Sequence, residues 1–291
     1  MIPKVLFTAE EIVAACEAAK ASGDATYSTV FTIAPGGRSA ANGAAHYFDL
    51  CARAGGKESK LFVRFKNERF AGRIQPLTGG EYTRDPTRTP TLGIRKYPDL
   101  TDDEPAPGLS AESAYFKAIE CVDTFFQASV AKLLSEGVLY KKDRDAAKTG
   151  GTKIKNGAVI HLFQSMVSPS AKENPGQPLT NPITRLGVKF DDSGFPRKGT
   201  EHYDRTKRVP DPDAPGGFRY EELKLDGEPL SASNVHKILP GSKISGIADL
   251  SAVCASTMGI SVPMAVRCLF VELAQPKKFS AADVFGDDLE N

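Results

Sequence analysis

Long apolar runs are missing from this 291-residue sequence. None approaches the roughly 20 residues that a membrane-spanning helix needs, and Met1 to Leu6 is too short for the apolar region of a signal peptide, so neither anchoring nor export is predicted. Cysteine is scarce and scattered: Cys16, Cys51, Cys121, Cys254 and Cys268 are odd in number and form no C-x-x-C pair. That argues against a disulfide framework or a zinc site and for reduced thiols in an intracellular compartment. The four histidines, His46, His161, His202 and His236, share no metal-ligand spacing. Walker-type phosphate loops, G-x-G-x-x-G, H-E-x-x-H and G-x-S-x-G are all absent, so no enzyme class and no cofactor is predicted. Two adjacent acid pairs, Asp102 with Asp103 and Asp191 with Asp192, have the chemistry to hold Mg²⁺ for phosphoryl transfer. Their Gly- and Pro-containing surroundings predict solvated turns instead.

What is present is an apolar fraction of 41%, enough for a sizeable core in one large domain or in a domain with an inserted lobe. The net charge of +1 conceals an asymmetry. Residues 283 to 291, DVFGDDLEN, hold Asp283, Asp287, Asp288 and Glu290 with no Lys or Arg; setting aside their −4 leaves residues 1 to 282 at +5. Local fields rather than totals govern attraction to phosphate, so this reads as a modestly basic body with an acidic tail. A merely solvated terminus has the same composition.

The chain opens with a helical pattern, FTAEEIVAACEAAKASG, in which Thr8 and Glu11 have capping-box spacing and Gly23 supplies a stop. YSTVFTIA (27–34) predicts a strand, AAHYFDLCARA a weaker one, and residues 76–107 a loop. Between 109 and 137, Tyr115, Ile119, Val122, Phe126, Val130 and Leu133 recur every three or four positions, the period of one long helix whose aromatics face a core. AVIHLFQSMV and ITRLGVKF predict further strands, 191–217 an exposed excursion, SASNVHKIL a short helix, and KISGIADLSAVCAS and VPMAVRCLFVELA the closing strands, with Gly259 at a bend and Met258 in the core. The expected class is α+β. Residues 1–282 form one domain, 109–157 a helical and basic insertion within it, and 283–291 the tail.

One stretch carries the functional argument. In KLFVRFKNERFAGRI (60–74), Leu61, Val63 and Phe65 alternate with Phe62, Arg64 and Lys66, and Asn67 with Glu68 predicts a turn. A strand there packs one face and offers the other, a ring and two cations, to solvent. Single-stranded nucleic acid needs that pairing of groups, because each base stacks on a flat ring and each nucleotide brings a phosphate. The competing interpretation is a polar sheet face with Phe62 under a loop and Arg64 paired to an acid. Further basic segments, Arg84 to Lys96 and Lys141 to Lys155, favour a cationic track. The candidate contacts are Lys60, Phe62, Arg64, Lys66, Arg69, Phe70, Arg73, Arg95, Lys96, Lys153, Lys155 and Arg185.

The order of FTAEEIVAACEAAKA, YSTVFTI, FVRFKNERFAGRIQP, LTNPITRLGVKF, YEELKLDGEPLSASNVHKI, ISGIADLSAVCASTMGISVP and ADVFGDD resembles the single-stranded DNA-binding proteins of large nucleocytoplasmic DNA viruses, of the African swine fever virus type. NVHK and MGIS-x-P are the most specific of these stretches, whereas 80–160 matches only as a helix between loops. The resemblance implies an oligonucleotide-binding (OB-fold-like) antiparallel β-barrel elaborated with an N-terminal helix and a long inserted helix. It also implies non-catalytic coating of single-stranded DNA in viral replication, repair or recombination, in a replication compartment of the host cytoplasm or nucleus. The acidic tail would then recruit a DNA polymerase or other replication protein. The rivals from other classes are a metal-dependent nuclease and a structural β-protein of a virion.

Overall fold

The structure, a computed structural model, describes residues 5–34, 37–39, 45–70, 90–98, 111–136, 138–139, 151–155, 158–168, 182–214, 216–256 and 259–274. A two-residue strand β1 (Phe7–Thr8) leads directly into helix α1 (Ala9–Ala21). The Glu11 N–H donates to the Thr8 hydroxyl at 3.1 Å and the Thr8 N–H to the Glu11 carboxylate at 2.7 Å, the reciprocal cap expected from the spacing. The strand expected over 27–34 is shorter. The Asp24 carboxylate accepts from Thr26, Ser28 and Thr29, which folds the approach into turns and leaves only β2 (Phe31–Ile33) extended.

Strands β3 (Arg38–Ser39), β4 (Ala45–Ala54) and β5 (Lys57–Lys60) follow, the last two joined through Gly55 and Gly56, both at positive φ. Next come β6 (Phe62–Arg69), β7 (Thr91–Arg95) and the long helix α2 (Ala114–Ser135), capped by the Ser113 hydroxyl. Its buried residues include Tyr115, Ile119, Val122, Phe126 and Val130, as the sequence period requires. β8 (Thr152–Lys155) and β9 (Ala158–His161) form a separate hairpin, and β10 (Val167–Ser168) precedes β11 (Ile183–Gly187).

Sequence reasoning was wrong about 191–217. That segment contains β12 (Glu201–Pro210), whose partner β13 starts at Phe218 and ends at Glu222. β12 buries only its first turns of pleat, at His202 and Asp204, so an apolar alternation is missing from its letters. The chain finishes with β14 (Lys224–Leu225), β15 (Glu228–Pro229), a single 3₁₀ turn at Val235–Lys237 in place of the expected short helix, β16 (Lys243–Asp249), β17 (Ala252–Ser256), β18 (Gly259–Ser261) and β19 (Ala265–Glu272). Met258 lies outside the described residues.

The fold is α+β. In the larger sheet β6 lies between β1 and β16, and β16 pairs antiparallel with β19. On its far side β19 meets two strands, both parallel to it: β11 at Ala265 and β12 along Cys268–Val271. β11 in turn pairs antiparallel with β7, and Phe70, just past β6, bridges Ile94 of β7. β6, β16, β19, β11 and β7 therefore follow one another around a ring that the Phe70–Ile94 bridge closes.

Val63, Phe65, Leu92, Ile94, Leu186, Ile244, Ala248, Val266 and Leu269 are buried on these five strands. Gly246 is required by close approach, since a Cβ there would sit 2.1 Å from the Cys268 carbonyl oxygen. α2 packs against this group through the Tyr115 ring, 5.1 Å from that of Phe65, and α1 lies against α2 while also touching β1, β4 and β6. A second sheet gathers β2, β3, β5 and the β17–β18 hairpin around β4.

Candidate nucleic-acid interface

The pleat of β6 divides its side chains between two environments. Val63 and Phe65 are 1% exposed and point into the ring, whereas Arg64 and Lys66 are exposed on the outer face and Phe62 is half-buried beside them. The expected turn at Asn67 is instead a bulge. Asn67 adopts φ 57°, the pairing with β16 shifts between Ile244 and Gly246, and the Asn67 N–H donates to the Ser245 hydroxyl at 3.0 Å. An asparagine tolerates this left-handed geometry, so the strand continues, with Glu68 inside and Arg69 outside. Arg64, Lys66 and Arg69 make no ion pair with any described residue. The carboxylate beside Phe62, that of Asp249, is held by Arg267 at 2.6 Å.

The other predicted contacts separate. Phe70 is 0% exposed, in the closure of the ring, and cannot receive a base; its place among the candidates is corrected by that burial. Lys60 lies on β5 and is paired with Asp49 at 2.8 Å. Lys96 is 19% exposed, sits above the Phe116 ring and is held by Glu120 at 2.9 Å and Glu112 at 3.6 Å, which removes it from an open track. Arg95 is half-buried at the end of β7. Arg185 is exposed on β11 opposite Gly93 and forms no ion pair among the described residues. Lys153 and Lys155 belong to the β8–β9 hairpin, outside the large sheet. Arg73, Arg84, Arg88, Lys141 to Lys148 and the tail at 283–291 lie outside the described residues.

Sequence reasoning missed a second set on the same outer face. The Arg205 guanidinium, at a bulge of β12, donates to the Asn67 side-chain oxygen at 2.5 Å, reaching back to β6. Beyond it lie Tyr203, Phe270, Tyr220 and Phe218, all half-buried, with exposed Arg208 above the last two. The available signal was the i, i+2 spacing of Phe218 and Tyr220, which marks one face of a strand.

Two titratable groups face inward. Burial pushes the Glu68 carboxyl up to about 7, against donation from the Ser113 hydroxyl and the Tyr115 N–H at the start of α2. Burial alone drops His202 to about 4, and its Nε2 has no hydrogen-bond partner. Of the acid pairs, Asp191 accepts from the Ser193 and Phe195 N–H groups in a turn, and Asp102 with Asp103 falls outside the described residues. No cluster of three or more His, Cys, Asp or Glu suited to a metal occurs among the described residues. No helix among them is long and apolar enough to cross a membrane.

No family model matches the chain. It is similar to African swine fever virus proteins named Uncharacterized protein CP312R. The relatives from a South African tick isolate and a Namibian warthog isolate are each 29% identical over 291 aligned residues, covering 90% of this chain and 86% of theirs. The one from a Malawian tick isolate is 28% identical over 317 aligned residues, covering 98% and 95%.

Proposed function

We propose that this chain binds single-stranded DNA with little sequence preference, in viral DNA replication, repair or recombination, and performs no chemistry. The observation that carries the proposal is the outer face of β6, where Arg64, Lys66 and Arg69 form no salt bridge among the described residues, Arg64 feeling only the field of a Glu11 carboxylate that Lys57 already holds, beside the half-buried Phe62 ring. A cation already neutralised gains little from a phosphate. One without a partner gains charge-assisted contacts and releases counterions from the strand.

An oligonucleotide-binding barrel is the architecture this function would use. A ring of five strands, with β11 and β19 its one parallel pair, supports that assignment. Such barrels take oligonucleotides across their second and third strands and neighbouring loops. Counting around from β6, those are β7 and β11, which carry Arg95 and exposed Arg185. Similarity over most of the chain to proteins of a DNA virus supports the viral setting. The acidic residues 283–291 would recruit a polymerase or another replication protein rather than bind DNA.

Anisotropy titration of a labelled oligothymidylate against duplex and RNA of equal length, at two salt concentrations, tests the function. Single strands should bind best, with log affinity falling by about 0.7 per log unit of salt for each phosphate neutralised. Equal affinity for duplex, or an affinity indifferent to salt, would refute it.

A further inference from the structure

Four aromatic rings of the large sheet do not belong to the hydrophobic core. Tyr203, Phe218, Tyr220 and Phe270 are absent both from the buried cluster that unites the two sheets and helices and from the side chains packed against it. They pack on one another instead. Tyr203 and Phe270 are stacked at 5.1 Å and 22°, Tyr220 stands edge-on to Phe270 at 5.0 Å, and Phe218 stands edge-on to Tyr220 at 5.5 Å. Strand register puts them on one face: Tyr203 pairs with Phe270 and with Glu222, Arg208 with Tyr220, and Pro210 with Phe218. It is the face of Lys66, Ser245 and Arg69, because Ser245 pairs with Phe270 and Lys243 with Arg69.

Charge is graded along this island. At the Tyr203 end stand Glu201, which accepts from the Tyr203 hydroxyl at 3.1 Å, and exposed Glu222. At the other end the Arg208 guanidinium lies 4.6 Å from the Phe218 centroid and 5.5 Å from that of Tyr220, exposed and without a carboxylate partner among the described residues. Arg205, between the island and β6, likewise bonds only neutral groups, Asn67 and Ser245. Cross-strand aromatic pairs do stabilise a hairpin. A hairpin alone does not require arginines without counter-charges at its rings, and those arginines favour an anionic occupant with flat apolar groups.

We infer that this island is the main base-stacking site of the protein, with unpaired bases of single-stranded DNA seated on Tyr220 and Phe218, phosphates on Arg208 and Arg205, and the strand continuing toward Lys66 and Arg64. The inference rests on the single-strand-binding function and moves its stacking centre from Phe62 to the β12–β13 hairpin. A base seated there also explains the sign of the gradient, since the backbone is drawn to the arginine end and away from Glu201 and Glu222.

The test is ultraviolet cross-linking of the full chain to oligothymidylate with peptide mapping, beside titrations of Tyr220→Ala, Tyr220→Phe and Arg208→Ala. Cross-links within 203–220 and at Phe270 are expected, with affinity lowered about tenfold or more by Tyr220→Ala and little changed by Tyr220→Phe, which keeps the ring. Mapping on the unaltered protein stands even if a variant misfolds. Cross-links confined to 60–69, with Tyr220→Ala binding normally, would overturn the inference and leave the function standing. Failure of the unaltered protein to bind single strands would overturn both. Concentration-dependent self-association that Tyr220→Ala abolishes while DNA binding persists would assign the island to a second copy of the chain and overturn the inference.

Discussion

The two faces of β6 are built from the same eight residues and are held to opposite standards. On the inner face Val63, Phe65 and Glu68 are 5% exposed or less, on a strand that pairs with β16 and packs under α2. On the outer face Phe62, Arg64, Lys66 and Arg69 touch solvent, and the three cations form no salt bridge among the described residues. Burial fixes what the inner face must be, because a lost methylene leaves a cavity. The outer face contributes little to stability, so its cations need another reason for standing together. Stability and nucleic-acid binding should therefore respond to different positions only one residue apart.

The largest effect that could break this comparison is on the inner face. Phe65→Ala removes a ring packed against Tyr115 and should cost about 3–5 kcal/mol, read as a lowered denaturant midpoint. Gly246→Ala should be of similar severity, because the neighbour it strikes is backbone that cannot rotate away. Were Phe65→Ala tolerated while Arg64→Ala unfolded the protein, the assignment of faces would be reversed.

A smaller effect sharpens the comparison through pH. Glu68 has its folded value raised to about 7, above the ordinary 4.5, so its burial costs nothing below about pH 4.5 and costs progressively more as pH rises to 7. Glu68→Gln should accordingly stabilise the protein at pH 8, by at most about 3 kcal/mol, and leave it unchanged at pH 4. His202 runs the other way. Its folded value is depressed to about 4 from 6.5, so the protein loses stability as pH falls from 6.5 toward 4. Thermal melts of the two proteins across this range measure both. A gain from Glu68→Gln that is equal at pH 4 and pH 8 would contradict the burial argument.

Smaller again in free energy, but specific to binding, is the double variant Arg64→Ala with Lys66→Ala. Surface changes of this kind alter stability by about 0.5 kcal/mol or less. Removing two phosphate contacts should flatten the salt dependence of single-strand affinity by about 1.4 log units per log unit. An unchanged slope would detach these cations from the DNA.

The same contrast explains what was legible in the sequence. Elements whose burial imposes a period were read correctly: α1 with its Thr8–Glu11 cap, α2 with its row of core residues, and β6 over its alternating part, Phe62 to Lys66, though not its bulge at Asn67. β12 escaped because only its first residues are buried and the remainder is exposed, so no period marked it as a strand. With it went the pairing that brings Arg205 and Tyr220 to the face of β6. Charge was legible too, but partners were not. Lys60, Lys96 and Arg64 look alike as letters, and only the fold places Asp49 and Glu120 against the first two.

That last distinction supplies the smallest expected effect. If the interface selects cations by their lack of counter-charge, Lys60→Ala should change single-strand affinity far less than Arg64→Ala, although the two residues are four apart. Lys60 is held by Asp49 at 2.8 Å and so has no free contact to give a phosphate, and once it is gone Arg38, 3.9 Å from Asp49, still offsets that carboxylate. Such an exposed pair contributes about 0–1 kcal/mol to stability, so little should be lost there either. Asp49→Asn separates the cases further. By releasing Lys60 it should strengthen DNA binding slightly and steepen its salt dependence, and the same titration at two salt concentrations reads both. A weakened affinity on Asp49→Asn would mean that the ion pair itself shapes the surface the strand lies on, and that lack of a counter-charge is not what the strand reads.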